Sequence, residues 1–215
     1  SGEVLFSTFA EEHANLTLPD GTKVTMNSNS SLTYSPKDFN RDERCVDFNG
    51  EAYFNVAKNK SVPFVITTKD LTVRVLGTKF NLHAYAGNET MEVTLEEGEI
   101  LVSSRKEEKK LLPNQKAVLN CQDGSILVLE EKRPEDASVW KNNELVFIDE
   151  QLENVIVALE ENYNISIHIK GLNIDSDLFT GKVPSNDLLN ALEILKYSYH
   201  MDYCVDAKDI YFSKK

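Results

Sequence analysis

Up to about residue 130, apolar and polar side chains alternate in short runs. Examples are Leu16-Thr17-Leu18, Val24-Thr25-Met26, Ala52-Tyr53-Phe54-Asn55-Val56, Phe80-Asn81-Leu82-His83-Ala84-Tyr85 and Met91-Glu92-Val93-Thr94-Leu95. Successive side chains of a strand point to opposite faces, so a period of two marks a strand with one face buried. Turn formers punctuate the runs at close intervals: Pro19-Asp20-Gly21, Asn49-Gly50, Ala86-Gly87-Asn88, Glu97-Gly98, Pro113-Asn114 and Asp123-Gly124. Each supplies a preset φ, a side chain that bonds nearby backbone, or tolerance of positive φ. The pattern predicts an all-β domain over residues 3–131, with about ten short strands in a sandwich or a flattened β-roll.

The period then changes. Lys132-Arg133-Pro134-Glu135-Asp136 is polar, carries a proline and reads as a linker. Beyond it, Leu152, Val155, Ile156 and Leu159 fall at helical spacing and form one apolar face. Asp149 is expected to help cap that helix, where a carboxylate accepts from free N–H groups. Ile165-Ser166-Ile167-His168-Ile169 alternates as a strand. Ser185 takes the N-cap place before Leu188, Ala191, Leu192 and Leu195; Met201, Tyr203 and Val205, then Ile210-Tyr211-Phe212, supply two more strands.

A shift of 36 residues carries Leu152 onto Leu188, Val155 onto Ala191, Ile156 onto Leu192 and Leu159 onto Leu195. The same shift carries Tyr163 onto Tyr199 and Ile167 onto Tyr203. A fixed offset matching this many core positions implies a duplicated strand-helix-strand motif. Two copies predict an α+β domain over residues 137–215, with two helices against one sheet in a split β-α-β arrangement.

Composition narrows the partners. The chain has 215 residues, 41% hydrophobic and 27% charged, as in folded globular proteins. Its formal net charge of −12 argues against nucleic acid and anionic lipid, which attract Lys/Arg stripes. Arg105-Lys106-Glu107-Glu108-Lys109-Lys110 mixes signs between apolar segments and reads as a solvated hairpin tip. No apolar run approaches the roughly 20 residues of a spanning helix. Ser1-Gly2 is unlike a native start, so the chain is expected to be a piece of a longer protein. Cys45, Cys121 and Cys204 share no metal-type spacing; they read as buried free thiols, with a single disulfide as the alternative.

Catalysis needs convergent groups, and the motifs that announce them do not occur. There is no G-x-S-x-G, phosphate loop, H-E-x-x-H or C-x-x-C. Gly77-Thr78-Lys79 leads into a strand and reads as a bend. Glu96 and Glu97 are adjacent on a strand and point to opposite faces, so they cannot flank one bond. His13, His83, His168 and His200 are scattered one per segment. Trp140 reads as a core or interdomain plug. No catalytic, cofactor-binding or metal-ligating residue is expected, and the chain is not expected to be an enzyme.

The motifs do follow a family's order. Leu18-Pro19-Asp20-Gly21 with Val24, Met26-Asn27, Ser31, Leu32 and Tyr34 resembles the opening signature of FecR domains. Phe48-Asn49-Gly50-Glu51-Ala52-Tyr53-Phe54-Asn55-Val56 resembles their most telling motif. Pro63-Phe64-Val65-Ile66-Thr67-Thr68, Val73 to Leu82, Val93 to Gly98 and Leu112-Pro113-Asn114-Gln115 continue the series. Trp140 and Leu145-Val146-Phe147 look like the start of the C-terminal domain of Bacteroidetes members. That domain is similar to the short N-terminal signalling domain of secretins and TonB-dependent receptors. The resemblance spans roughly residues 16 to 213. Asn114 and Asn143 stand where the family usually has glycine, and asparagine is the next residue most tolerant of the left-handed region. Gly21, Gly50, Glu51, Gly77, Thr78, Gly98 and Trp140 read as architecture, placed where chains bend or a Cβ would crowd.

The resemblance implies the periplasmic region of a single-pass inner-membrane anti-sigma regulator, whose absent cytoplasmic end binds an extracytoplasmic-function sigma factor. Its implied partner is the periplasmic signalling domain of an outer-membrane TonB-dependent transporter, with no nucleic acid and no small-molecule substrate. The alternatives are a secreted carbohydrate-binding or adhesive β-domain and a cryptic hydrolase. Docking is expected on the C-terminal domain at Ile210, Tyr211 and Phe212, read as a last strand with an uncovered edge. Strand addition and helix packing are both open modes. The bland alternative is that Tyr211 and Phe212 only complete the sheet and core.

Overall fold

The computed structural model describes residues 2–171 and 176–214. The run over residues 52–56 falls at the end of a longer strand on which the N-terminal part is organised. Four short strands, β1 (Val4–Ser7), β2 (Ala14–Thr17), β3 (Lys23–Met26) and β4 (Ser31–Tyr34), precede β5 (Arg44–Asn55). Then come β6 (Phe64–Thr67), β7 (Thr72–Val75), β8 (Lys79–Ala84) and β9 (Thr90–Glu97). The series ends with β10 (Ile100–Ser103), β11 (Glu108–Leu111), β12 (Gln115–Asn120) and β13 (Ile126–Glu130). These are thirteen strands where alternation predicts about ten. Four-residue strands such as β1 hold too few inward positions to register as a period.

β5 has two sets of neighbours. Its first half pairs with β4 and, in parallel, with β6; its second half pairs with β3 and β8. One half-sheet therefore runs β11-β10-β7-β6-β5-β4-β1 and the other β13-β12-β9-β8-β5-β3-β2. Inward positions of β5 stay in phase through the bend: Arg44, Val46, Phe48, Ala52 and Phe54 are all buried. Phe48, Phe54, Phe64 and Phe80 join aliphatic residues of both halves in one core, with Phe54 stacked on Phe80 at 5.3 Å. Shared inner faces of this kind make a sandwich.

Arg44 is the unexpected member of that core. Its side chain is 0% exposed and pairs at 2.8 Å with Asp20. Its Nε donates to the Val62 carbonyl at 2.8 Å and Nη1 to the Ala57 carbonyl at 2.7 Å. Asp20 also accepts from the Thr22 N–H and hydroxyl, and that hydroxyl accepts from the Ala57 N–H. The turn at Pro19-Asp20-Gly21 is thus the lid on a buried cation.

The chain divides into two compact units, Ser1–Lys141 and Asn142–Lys215. In the second, β14 (Glu144–Gln151), α1 (Leu152–Tyr163) and β15 (Ser166–Lys170) are followed by β16 (Leu178–Pro184), α2 (Leu188–Tyr199), β17 (Met201–Asp206) and β18 (Asp209–Lys214). The two helices have equal length and start 36 residues apart, and each ends in a left-handed cap, Asn164 and His200. The single expected sheet is instead two: β14 pairs with β16, while β15, β18 and β17 form the other. The last strand inserts between β15 and β17, which periodicity does not reveal. Helix residues Val155, Leu159, Leu192 and Leu195 share one core with Val183 and Phe179 of the first sheet and Ile210 and Phe212 of the second. Leu159→Ala and Leu195→Ala are each expected to cost about 2–5 kcal/mol in denaturant unfolding. A cost under roughly 0.5 kcal/mol at either position contradicts this packing.

Local expectations fare unevenly. Asn114 and Asn143 do adopt positive φ, 65° and 57°. Asp149 does not cap α1; it sits in an irregularity of β14 with φ 48° and exchanges hydrogen bonds with Thr180. The first helical N–H, of Leu152, donates instead to the Asp177 carbonyl. Asp187, not Ser185, caps α2, accepting from the Asn190 N–H at 3.1 Å. The three cysteines are free, but Cys45 and Cys204 are exposed rather than buried, because both fall on the outward phase of their strands. Of the run read as a hairpin tip, Arg105 to Glu107 do lie in the turn between β10 and β11, while Glu108 to Lys110 belong to β11 itself and pair with β10.

Candidate docking surfaces

Outward positions of the three-stranded sheet in the second unit fall into rows fixed by register. His168 of β15 lies beside Tyr211 of β18, which lies beside Cys204 of β17. Tyr211 is 42% exposed and Cys204 is exposed beside it; Val205, in register with the buried Ile210, belongs to the opposite face. The Tyr211 ring stacks on His168 with centroids 4.8 Å apart and planes 19° apart. His168 Nε2 lies 2.8 Å from Asp209 Oδ1. The surface therefore offers a stacked aromatic pair with a carboxylate at its edge.

The expected open edge at Ile210-Tyr211-Phe212 is not there. β18 is the middle strand, parallel to β15 on one side and antiparallel to β17 on the other, so its backbone groups are paired. Ile210 and Phe212 point into the core at 0% and 1% exposure. Only Tyr211 of the three faces outward, and the free strand edges of this sheet, among the described residues, are those of β15 and β17.

The first unit has a second surface, on the outer face of its β5–β8–β9 half-sheet. Glu51 accepts from Asn27 Nδ2 at 2.9 Å and from Asn81 Nδ2 at 3.0 Å. With its amide nitrogen held, Asn81 presents its oxygen to the Trp140 indole N–H at 3.1 Å. His13 meets the same indole edge-on at 5.6 Å. Nearby, the Tyr53 hydroxyl donates to Glu96 at 2.7 Å, and Ser138 donates to the other Glu96 oxygen at 3.2 Å. The Lys141 ammonium donates to Ser138 at 3.0 Å and sits 3.5 Å above the Tyr53 ring. Burial pushes the Lys141 pKa down against the opposing pull of Glu96. Burial and the bond to Glu96 push Tyr53 up. Glu97, the adjacent carboxylate, pairs instead with Lys79 at 2.8 Å.

The remaining motif residues are structural corners. Gly77 and Thr78 lie between β7 and β8, against Gly98 of the β9–β10 turn; a Cβ on Gly98 would stand 3.0 Å from the Gly77 carbonyl oxygen. The Thr78 hydroxyl donates to the Glu99 carbonyl. Gly50 sits where β5 passes from one half-sheet to the other. Arg44, Asn81, Ser138 and Lys141 were not legible as key residues; for Arg44 the available signal is its inward phase on β5. Among the described residues no group of three His, Cys, Asp or Glu side chains is placed to hold a metal ion. No helix among them is long and apolar enough to cross a membrane.

Two family models match the chain in order. The one described as FecR protein covers residues 5–101, and the one described as FecR, C-terminal covers residues 144–212. Two crystal structures of a candidate anti-sigma factor from Parabacteroides distasonis ATCC 8503 are similar, each 31% identical over 99% of both chains, with TM-scores of 0.68 and 0.67. No protein of curated function matches. On these matches, which fall on both units, the chain belongs to the FecR family of anti-sigma factors.

Proposed function

We propose that this chain is the periplasmic signal-receiving region of a membrane-anchored anti-sigma regulator. It relays occupancy of an outer-membrane TonB-dependent transporter to an extracytoplasmic-function sigma factor, by binding rather than by catalysis. The observation that carries the reading is the order of the two family matches on one chain, the second of them on the unit of residues 142–215.

The receiving surface in this reading is the outer face of the three-stranded sheet around Tyr211, His168 and Cys204, with strand addition confined to the free edges of β15 and β17. An aromatic pair with a carboxylate at its edge suits a partner with a basic, partly apolar face, and the chain's charge of −12 makes such an encounter salt-sensitive. A transient interface under about 1,200 Å² gives affinity near the micromolar range. The ligand can shift the regulator only as far as its affinities for the two states differ.

The test is a sigma-dependent reporter in cells carrying the full-length regulator and its transporter. Removing residues 142–215 is expected to abolish the response to the transported ligand while the regulator still reaches the membrane. A response that persists at its normal size without that unit contradicts the reading.

A further inference from the structure

The junction between the units is not a free linker. Residues Pro134–Asn142 form a run of 3₁₀ turns, and of these only Pro134 and Ser138 are buried. The preceding chain is anchored where the Glu131 N–H donates to the Asn114 carbonyl at 2.7 Å. From there to Lys141 the segment lies along the first unit, held at Trp140 through Asn81 and at Ser138 and Lys141 through Glu96 and Tyr53. No residue of 134–141 belongs to the hydrophobic core.

We infer that residues 134–141 form a releasable strap, latched at two polar points on the outer face of the β-sandwich, whose detachment turns a short connection between the units into a flexible tether. The inference stands on this geometry and holds whichever partner docks.

Three features support it. The first latch point is set from a distance. Glu51 fixes both oxygens on amide N–H groups, so the Asn81 amide can offer Trp140 only its carbonyl, which is what an indole N–H requires. The second point is a chain of hydrogen bonds from Tyr53 through Glu96 to Ser138 and Lys141, closed by the ammonium on the Tyr53 ring. Bonds of this kind are directional, exchange readily with water and contribute little each, so the strap opens at a free-energy cost far below global unfolding. Finally, the strap is the last stretch before residue 142, so any load on the second unit reaches it first. Once released, the ten residues from Lys132 to Lys141 reach up to roughly 35 Å.

This gives Glu51 and Tyr53, outward residues of the Gly50-Glu51-Ala52-Tyr53-Phe54 motif, a role as positioning residues for the strap. Their inward neighbours Ala52 and Phe54 build the core.

The test uses hydrogen exchange and the fluorescence of Trp140, the single tryptophan of the chain. In the unaltered protein, amides of 134–141 are expected to exchange much faster than those of β5 and β8. The double variant Tyr53→Phe/Ser138→Ala strips both hydrogen bonds to Glu96 from the second latch point, and Glu51→Gln disorders the first. Each is expected to speed exchange of 134–141 about tenfold to a hundredfold and to raise acrylamide quenching of Trp140, while β5 and β8 keep their protection. Equal protection of strap and core strands in the unaltered protein overturns the inference. So does acceleration that appears in β5 and β8 to the same degree, or unchanged exchange and quenching in both variants.

Discussion

Gly50→Ala is expected to cost more than about 4 kcal/mol, or to prevent folding altogether. Gly50 has φ +123°, a region essentially closed to residues with a Cβ, and sits where β5 changes half-sheet. An added Cβ would stand 2.2 Å from Ser30 Oγ, 2.5 Å from its Cβ and 2.6 Å from its Cα. Ser30 cannot retreat cheaply. Its hydroxyl accepts from the Glu51 N–H at 3.0 Å, and its neighbour Ser31 is in register with Asn49. Gly21→Ala is the internal control: φ is +87°, but nothing lies within 4 Å of the new Cβ, so only the left-handed penalty of about 1–2 kcal/mol applies. Equal costs for the two substitutions, from chemical unfolding at matched slope, contradict the claim that the sheet switch turns on close backbone approach.

Asp20→Ala is expected to cost about 3–5 kcal/mol. The substitution leaves a guanidinium in the core with carbonyl partners but no counter-charge, since Arg44 and Asp20 are 0% and 5% exposed. It also strips two hydrogen bonds from Thr22. The pair itself adds little net stability over an apolar filling, because desolvating both charges offsets their attraction. Asp20→Ala with Arg44→Met is therefore expected to recover much of the loss, a non-additivity that a double-mutant cycle reads directly. A cost below roughly 1 kcal/mol for Asp20→Ala alone shows that water reaches the guanidinium and contradicts its burial.

Both effects show what the sequence does and does not disclose. Alternation over residues 52–56 discloses only the end of β5. Asn49-Gly50, which reads as a turn between strands, lies instead inside the one twelve-residue strand, whose inward phase continues unbroken through it. Arg44 is on that inward phase, but a period-two pattern scores arginine as polar and ends the strand before it. Helix faces at Leu152 to Leu159 and Leu188 to Leu195 are legible for the same reason as that end of β5: apolar residues repeat at one spacing. The order of strands in a sheet is not periodic information, which is why β18 is misplaced at an edge when it lies between β15 and β17. The strap is hidden for a third reason. Trp140 meets Asn81 and Ser138 meets Glu96 across 59 and 42 residues of sequence. Polar side chains carry no pattern that announces such a meeting, although Glu51 and Tyr53 stand in the motif that resembles the family most closely.

In the proposed function the second unit receives the signal. The most direct test of this is titration of the isolated transporter signalling domain into this chain, followed by backbone amide shifts. Shifts are expected around His168, Cys204 and Tyr211, with an affinity near the micromolar range. Shifts confined to residues 16–125, with none in 142–214, would contradict it and make the β-sandwich the receptor.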